Sequence, residues 1–333
     1  MIWPVDFSVV YSYRVGGLII AQTLLASIVL LIISVVSFIW RGKYPFLLVG
    51  WLWFLGVLVP MIGIVQVGSQ ARADRYTYLA QIGLYLLVTW GALELFTKWH
   101  GGRKVLIAVA VLIITGLTAD SYIQTSYWRN SETLWTHALA NTSDNPLAQS
   151  NLGNALMKKG QLDEAVVHFR KALEIYPDYP EANNNLGYVL MKKGQLDDAI
   201  VYFRKTLAIN AEHTNANYNL AFALGYTLAK KGNMADAITS YRAAMRIQPN
   251  DPIVHNNLAA GLMEIGKTDE AIQQFREALR LDGNYQEAHV NLASLLLQLG
   301  LRDEAVAHLR EAMRLKPDDA EVKAQLRQLG VER

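Results

Sequence analysis

The sequence has no cysteine among its 333 residues, which excludes disulfides, iron–sulfur clusters, thiol nucleophiles and zinc sites with cysteine ligands. Charge is also scarce, since only 18% of the residues are charged. The formal net charge of +2 leaves no basic surface large enough to bind nucleic acid by neutralising phosphates. No phosphate loop, dinucleotide fingerprint, HExxH pair or nucleophile elbow occurs, so the motifs predict no cofactor, no metal and no catalytic residue.

The few charges are unevenly distributed along the chain. Residues 1–128 contain 8 Lys and Arg and 4 Asp and Glu, whereas residues 129–333 contain the other 23 and 25. Residues 1–128 are therefore predicted to form a membrane domain. Four apolar stretches in this domain approach the roughly 20 residues that a helix needs to cross a bilayer. They are residues 15–40, 46–67, 79–96 and 105–122.

The loops that connect these stretches predict how the chain is oriented. The loops at residues 41–45 and 97–104 contain five Lys and Arg, and the opposite side contains four. By the positive-inside rule, the side with five is cytoplasmic. The N-terminus, the loop at residues 68–78 and everything after Trp128 are then predicted to be extracytoplasmic, in a periplasm or a lumen.

A repeated pattern marks the polar part of the chain. Glycines recur at intervals of 34, 38, 34 and 34 residues, and each is followed by Ala after five residues and by Phe, Tyr or Leu after nine. This spacing is typical of tetratricopeptide repeats, in which glycine ends helix A and alanine lets helices A and B approach. The glycines are Gly160, Gly194, Gly232, Gly266 and Gly300.

The predicted architecture is all-α, with four transmembrane helices followed by a tetratricopeptide-repeat α-solenoid. Residues 129–145 are predicted to be a half repeat that joins the membrane domain to the solenoid. Residues 146–319 are predicted to be five repeats, and residues 320–333 a capping helix. The 38-residue spacing places about one extra helical turn between Leu220 and Gly232, where it lengthens the helix or forms a bulge.

Asparagine occupies the sixth position of every repeat, at Asn151, Asn185, Asn219, Asn257 and Asn291. Helix A lines the concave face of such solenoids, and amides at this spacing suit an extended peptide backbone, which predicts sequence-tolerant polypeptide binding. This row resembles the asparagine ladder that holds peptide substrates in O-linked N-acetylglucosamine transferase. The alternative is that the amides support the turns between repeats or keep the face soluble.

Other polar side chains of the repeats have structural interpretations. His255 and His289 occupy equivalent positions in adjacent repeats, and without a third ligand they are predicted to be surface residues rather than a metal site. The acidic pairs at residues 197–198 and 318–319 lie at predicted helix starts. Carboxylates at such positions cap free amides and interact favourably with the helix dipole.

The loop between the second and third apolar stretches has a distinctive composition. Residues 68–79 include two Arg, one Asp and two Tyr, which at a membrane surface suit a lipid-linked phosphate. An ordinary interfacial anchor has the same composition. The run from Val65 to Leu79, followed by Gly83, resembles the signature of the transmembrane and tetratricopeptide repeat protein O-mannosyltransferases and their bacterial relatives. These proteins are C-type-fold membrane glycosyltransferases.

The resemblance implies that this chain corresponds to the C-terminal part of such an enzyme. Arg72, Asp74, Arg75 and Tyr78 would then lie on the active-site side, with the arginines as partners of a polyprenyl-phosphate sugar. Family members carry their catalytic acid in a first external loop, and Asp6, the one acid in the N-terminal segment here, is not in that motif. The catalytic helices are therefore expected to be missing. The alternative is a non-catalytic, membrane-anchored scaffold that recruits envelope proteins.

Overall fold

The structure is a computed structural model, and it describes residues 20–58, 78–97, 99 and 101–331. Within these residues all regular secondary structure is helical. The chain divides into two compact units, Met1–Gln161 and Leu162–Arg333. The first unit contains the apolar helices and the two helices that follow them in the chain, and the second unit contains all later helices.

Four apolar helices are described: α1 (Ile20–Ile39), α2 (Pro45–Leu58), α3 (Tyr78–Phe96) and α4 (Gly102–Tyr127). Three segments are long and apolar enough to cross a membrane, namely Leu24–Gly42, Leu79–Phe96 and Gly102–Tyr127. Their apolar side chains face outward, as shown by Leu25 and Leu112, which are 64% and 73% exposed. Continuous exposure of this kind suits lipid rather than water.

These three segments overlap the predicted spans 15–40, 79–96 and 105–122, although residues 15–19 lie outside the described part of the chain. The exception is the second predicted span, because α2 is described over only 14 residues and residues 59–67 lie outside the described part of the chain. Helix α2 nevertheless packs closely on its neighbours. A Cβ at Gly50 would lie 2.5 Å from the carbonyl oxygen of Gly83, so glycine permits the close crossing of α2 and α3. The Trp51 indole Nε1 donates to Ser34 Oγ of α1 over 2.8 Å.

Helix α4 leads almost directly into the repeats. Helix α5 (Ser131–Asn141) follows it after a three-residue connection and lies within the segment predicted to be a half repeat. Asn130 caps α5, since its Oδ1 accepts from the Thr133 backbone N–H over 2.9 Å. The Tyr127 and His137 rings stack with their centroids 3.9 Å apart and their planes 7° from parallel. These contacts fix the start of α5 against the end of α4.

The remaining helices alternate between the first and second helices of the repeats, which we call A and B helices. The A helices are α6 (Pro146–Lys158), α8 (Pro180–Lys192), α10 (Thr214–Lys230), α12 (Pro252–Glu264) and α14 (Gln286–Gln298). The B helices are α7 (Leu162–Ile175), α9 (Leu196–Ile209), α11 (Met234–Ile247), α13 (Thr268–Leu281) and α15 (Arg302–Leu315), and α16 (Ala320–Gln328) comes last. Helix α10 has 17 residues where the other A helices have 13. The extra residues therefore lengthen the helix, without a bulge.

The repeated residues adopt the roles that their spacing predicts. The five turn glycines have φ angles between 75° and 81°, a left-handed conformation that glycine adopts without strain. The five alanines are fully buried. The large side chains that follow them fill the space between the helices and are at most 2% exposed, namely Phe169, Phe203, Tyr241, Phe275 and Leu309.

The acidic pairs also lie at helix starts, as predicted. Asp197 and Asp198 are in the first turn of α9, where the positive end of the helix dipole favours them. Asp319 caps α16, since its Oδ1 accepts from the backbone N–H groups of Glu321 and Val322 over 3.1 and 3.2 Å. The bond from Val322 holds the pKa of the Asp319 carboxyl below its usual value. Capping is confirmed at Asp319.

Candidate functional site

The predicted phosphate-binding loop lies almost entirely outside the described part of the chain. Arg72, Asp74 and Arg75 are not among the described residues. Tyr78 is the first residue of α3, and its side chain is outside the described part as well. The role of these four residues therefore stays a prediction.

Asparagines connect successive A helices in the second unit. Asn219 Nδ2 donates to Asn184 Oδ1 over 3.0 Å, and Asn291 Nδ2 donates to Asn256 Oδ1 over 3.0 Å. In each pair, the sixth residue of one A helix contacts the fifth residue of the preceding A helix. Asn184 and Asn256 were not predicted from the sequence, although the doublets Asn184-Asn185 and Asn256-Asn257 were a visible signal. Each donor amide keeps one N–H and its oxygen for other partners.

The other predicted asparagines have different surroundings. Asn185 is half-buried, and its Oδ1 accepts from Asn184 Nδ2 over 3.2 Å. Asn257 is half-buried and makes no side-chain hydrogen bond within the described residues. Asn151 is half-buried on α6, in the first unit. We call the side of α8, α10, α12 and α14 that carries the sixth-position asparagines the A-helix face.

The fourth residue of each A helix in the second unit closes the junction between repeats. Its side-chain nitrogen lies 2.8 to 3.2 Å from the carbonyl oxygen six residues earlier in all four helices. The residues are Asn183, Asn217, His255 and His289. The two histidines are only 6% and 8% exposed, so the prediction that they are surface residues is wrong. Their equivalence to Asn183 and Asn217 was the signal for this role.

A histidine pair occupies the last of these junctions. His289 Nε2 faces the Gly283 carbonyl oxygen over 3.2 Å, and His289 Nδ1 lies 2.9 Å from Nδ1 of His308. Because the carbonyl can only accept, neutral His289 carries its proton on Nε2 and accepts through Nδ1 from His308. Burial and the neighbouring His289 lower the pKa of His308. Among the described residues no group of three or more His, Asp or Glu side chains is placed to hold a metal.

We expect the stability of the solenoid to fall as the pH drops below about 6.5. His308 takes up a proton more readily in the unfolded chain than in the folded one, because its folded pKa is lowered. The matched variant is His308→Gln, since Gln274 occupies the equivalent position beside His255 over 2.7 Å. Thermal unfolding of the full chain is measured at several pH values from about 7.5 to about 5.5. This variant should lose less stability over that range than the unaltered chain. An equal loss would exclude His308 as the cause.

Two tyrosines, one on α10 and one just before α14, make hydrogen bonds through their hydroxyl groups. The Tyr218 hydroxyl donates to the Asp251 carboxylate, and Asp251 also caps α12 by accepting from the Ile253 N–H over 2.8 Å. Burial and the bond to Asp251 raise the pKa of the Tyr218 phenol. Burial raises the pKa of Tyr285 to about 12, and its oxygen lies 3.5 Å from Asn256 Nδ2. Both phenols are therefore protonated at neutral pH.

Asp120 is an acidic residue in α4 that was not predicted to be functional. It is the one charged residue between positions 105 and 127, which was its signal. Its Oδ2 is buried and has no hydrogen-bond partner among the residues that the structure describes. Ionisable side chains inside apolar spans are costly and usually face a partner or a polar path. Asp120 therefore marks the C-terminal part of α4 as a second place where polar contacts are expected.

Family models match the repeats along most of their length. A model described as a TPR repeat matches residues 153–194 and 225–260. Two models described as tetratricopeptide repeats match residues 262–329 and 180–213. The solenoid consists of tetratricopeptide repeats. The Pseudomonas aeruginosa pilF structure has a TM-score of 0.51 at 18% identity, over 62% of this chain and 93% of that chain, which shows a similar fold.

Other similarities are weaker or partial. The crystal structure of YrrB, described as a TPR protein with an unusual peptide-binding site, has a TM-score of 0.43 at 23% identity, over 58% of this chain and 97% of that one. Human protein O-mannosyl-transferase TMTC1 is 25% identical over 50% of this chain and 20% of its own length. Drosophila melanogaster protein O-mannosyl-transferase Tmtc2 is 29% identical over 32% of this chain and 11% of its own. The similarity to these transferases is distant and spans a fifth of their length or less.

Proposed function

We propose that this chain is the C-terminal part of a membrane glycosyltransferase that uses a polyprenyl-phosphate sugar. In this proposal its tetratricopeptide repeats are extracytoplasmic and hold an extended polypeptide acceptor. The distant similarity to protein O-mannosyl-transferases supports the reaction class. Arg72, Asp74, Arg75 and Tyr78 would contact the donor phosphate, and a separate segment would supply the catalytic acid.

The proposed topology requires α2 to cross the membrane as a fourth span. In its support, α2 packs against both of the helices that flank it in the chain. It contacts α1 through Trp51 and crosses α3 at Gly50, contacts that suit helices at the same depth of a bilayer. Four spans would place the loop before α3 and the repeats on one side. The count of positive loop charges favours the extracytoplasmic side for both.

The proposal that the chain binds polypeptide rests on the A-helix face. Two of its amides, Asn219 and Asn291, are held by neighbours in adjacent repeats, yet each donates only one of its two N–H groups in these bonds. Such fixed amides lose little conformational freedom when a ligand binds. A row of them along the repeats matches the regular N–H and C=O groups of an extended backbone, which gives binding with little dependence on sequence.

Asn257→Ala tests this function most directly, because Asn257 has no side-chain partner within the described residues. We expect the variant to bind a short fluorescent Ser- and Thr-containing peptide about tenfold more weakly, the effect of losing one or two hydrogen bonds. The thermal unfolding of the full chain should not change. Binding is measured by fluorescence anisotropy with the protein in lipid nanodiscs.

Two further variants separate binding from structural support. Asn291→Ala leaves Asn256 Oδ1 unpaired and should weaken both stability and binding. Asn250→Ala, at the exposed junction before α12, should change neither. If Asn291→Ala lowers only stability and Asn257→Ala leaves peptide binding intact, the amides support the repeats alone, and polypeptide binding on this face is wrong.

A non-catalytic scaffold is the second candidate function. It is favoured by the bonds Asn219–Asn184 and Asn291–Asn256, which lie within the second unit, so that these amides could hold a polypeptide without the membrane helices. A scaffold would bind peptide, and its function would not depend on the residues of the 68–78 loop. The transferase would need these residues to bind its lipid-linked donor.

A further inference from the structure

The long helix α10 packs at both of its ends in the same way as the shorter A helices do. Near its start, Asn219 pairs with Asn184 as Asn291 pairs with Asn256, each over 3.0 Å. Near its end, a Cβ at Gly225 would lie 2.7 Å from the Tyr241 ring, and one at Gly187 would lie 2.7 Å from the Phe203 ring. The same packing therefore holds at both ends. The inserted turn lies between Asn219 and Gly225.

The inserted turn brings aromatic side chains beside the A-helix face. Tyr218, Phe222 and Tyr226 recur every four residues on α10, a spacing that aligns side chains along one side of a helix. The Tyr218 and Phe222 rings stack with their centroids 6.2 Å apart and their planes 19° from parallel. Tyr226 is 38% exposed. On the preceding A helix, Tyr188 follows Gly187 as Tyr226 follows Gly225 on α10, so the two tyrosines occupy equivalent positions. We call these residues the aromatic shelf (Tyr188, Tyr218, Phe222 and Tyr226).

Two lysines lie over the rings of the shelf. Lys192 Nζ is 5.3 Å from the centroid of Tyr188, and Lys230 Nζ is 5.2 Å from that of Tyr226. Both lysines are exposed. Lys192 follows Asn185 by seven residues and Lys230 follows Asn219 by eleven, which places each within about 20° of its asparagine around the helix. The lysines therefore belong to the A-helix face.

The positive charge is confined to this part of the face. The positions seven residues after Asn257 and Asn291 hold Glu264 and Gln298, so the line of lysines stops after α10. An ammonium group held over a tyrosine ring by cation–π attraction is placed for a carboxylate on a bound chain. Charge complementarity therefore selects an acidic segment for α8 and α10 and not for α12 and α14.

We propose that the aromatic shelf, Lys192 and Lys230 form a specificity site for an acidic stretch of the bound polypeptide, in which an aromatic residue lies between acidic residues. This site deepens the proposed function and rests on it, since the A-helix amides hold the backbone. The aromatic side chain of the ligand packs on the shelf, and the flanking carboxylates pair with the two lysines.

Binding of three short fluorescent Gly–Ser peptides to the full chain in nanodiscs tests the site. Their central residues are Glu-Tyr-Glu, Ser-Tyr-Ser and Lys-Tyr-Lys. We expect the acidic peptide to bind most tightly. Combined Lys192→Glu and Lys230→Glu should weaken its binding about tenfold and strengthen that of the basic peptide, because two exposed charge pairs change from attraction to repulsion.

The matched control is Lys205→Glu. Lys205 is exposed and lies over the Tyr202 ring at 5.0 Å, but on the B helix α9. This variant should leave the order of the three peptides unchanged. An equal loss for all three peptides in the double variant, or no preference in the unaltered chain, overturns the specificity site. If the three peptides bind alike and Asn257→Ala weakens them all, polypeptide binding stands without this site. If none binds, the proposed function fails as well.

Discussion

Phe275→Ala should destabilise the second unit by about 3–5 kcal/mol. Phe275 is fully buried between the helices of its repeat and belongs to a cluster that runs from Ala237 to Leu326. Removing the ring leaves a cavity that the rigid helix pair cannot close. Because each repeat of a solenoid contacts only its neighbours, the loss should concentrate in α12 to α15. Amide hydrogen exchange of the full chain, resolved by helix, measures it.

Phe275→Leu provides the conservative comparison. The equivalent position of the next repeat holds Leu309, which is also fully buried, so leucine is compatible with this packing. We expect it to cost about 1.5 kcal/mol or less. Exchange that rises equally in α7 to α9 after Phe275→Ala would mean that the repeats unfold as one unit. Exchange unchanged in α13 would show that Phe275 does not hold the helix pair together.

The repeat core is the part of the molecule that sequence predicts best. Glycine, alanine and a large side chain recur at fixed offsets, and each acts within its own helix pair. Their positions therefore follow from local geometry, and Phe203 and Gly194 have the burial and the φ angle that the pattern indicates. The extra turn of α10 was predictable for the same reason, because inserting one whole turn keeps the same face toward the core.

Contacts between repeats were harder to predict, because they depend on the rotation from one helix pair to the next. The sequence predicted that Asn219 belongs to the series of sixth-position asparagines, but it did not predict the bond from Asn219 to Asn184. It also marked His289 as a matched position but not its burial, since periodicity says little about the first turn of a helix, where the preceding chain covers side chains. The 68–78 loop has no periodicity at all, so its role rests on resemblance.

Arg75→Ala is expected to reduce binding of a polyprenyl phosphate to the full chain by about 10- to 100-fold. A charge-assisted hydrogen bond to phosphate is worth about 1.5–3 kcal/mol, and a membrane surface screens it less than open water does. Arg75→Lys should give an intermediate loss, because lysine keeps the charge but not the two-pronged geometry. Binding is measured by native mass spectrometry from nanodiscs that contain the lipid phosphate.

Arg103→Ala is the matched control. Arg103 is an exposed residue at the start of α4, which the proposed topology places on the cytoplasmic side, away from the donor. The Arg103→Ala variant should bind the lipid phosphate as tightly as the unaltered chain does. Equal losses in the two variants would indicate general attraction between basic residues and an anionic lipid.

The combination of Arg75→Ala with peptide capture distinguishes the two candidate functions. In the transferase, the variant loses the lipid phosphate and keeps the peptide, because the two ligands bind to different units. In the scaffold, neither measurement changes, and Arg75 is an interfacial anchor that serves only to hold α3 at the membrane surface. Binding of the lipid phosphate at the 68–78 loop and binding of peptide at the A-helix face can therefore be tested separately. A chain that binds both ligands holds the lipid carrier of a sugar and a polypeptide on one molecule, as the transferase requires.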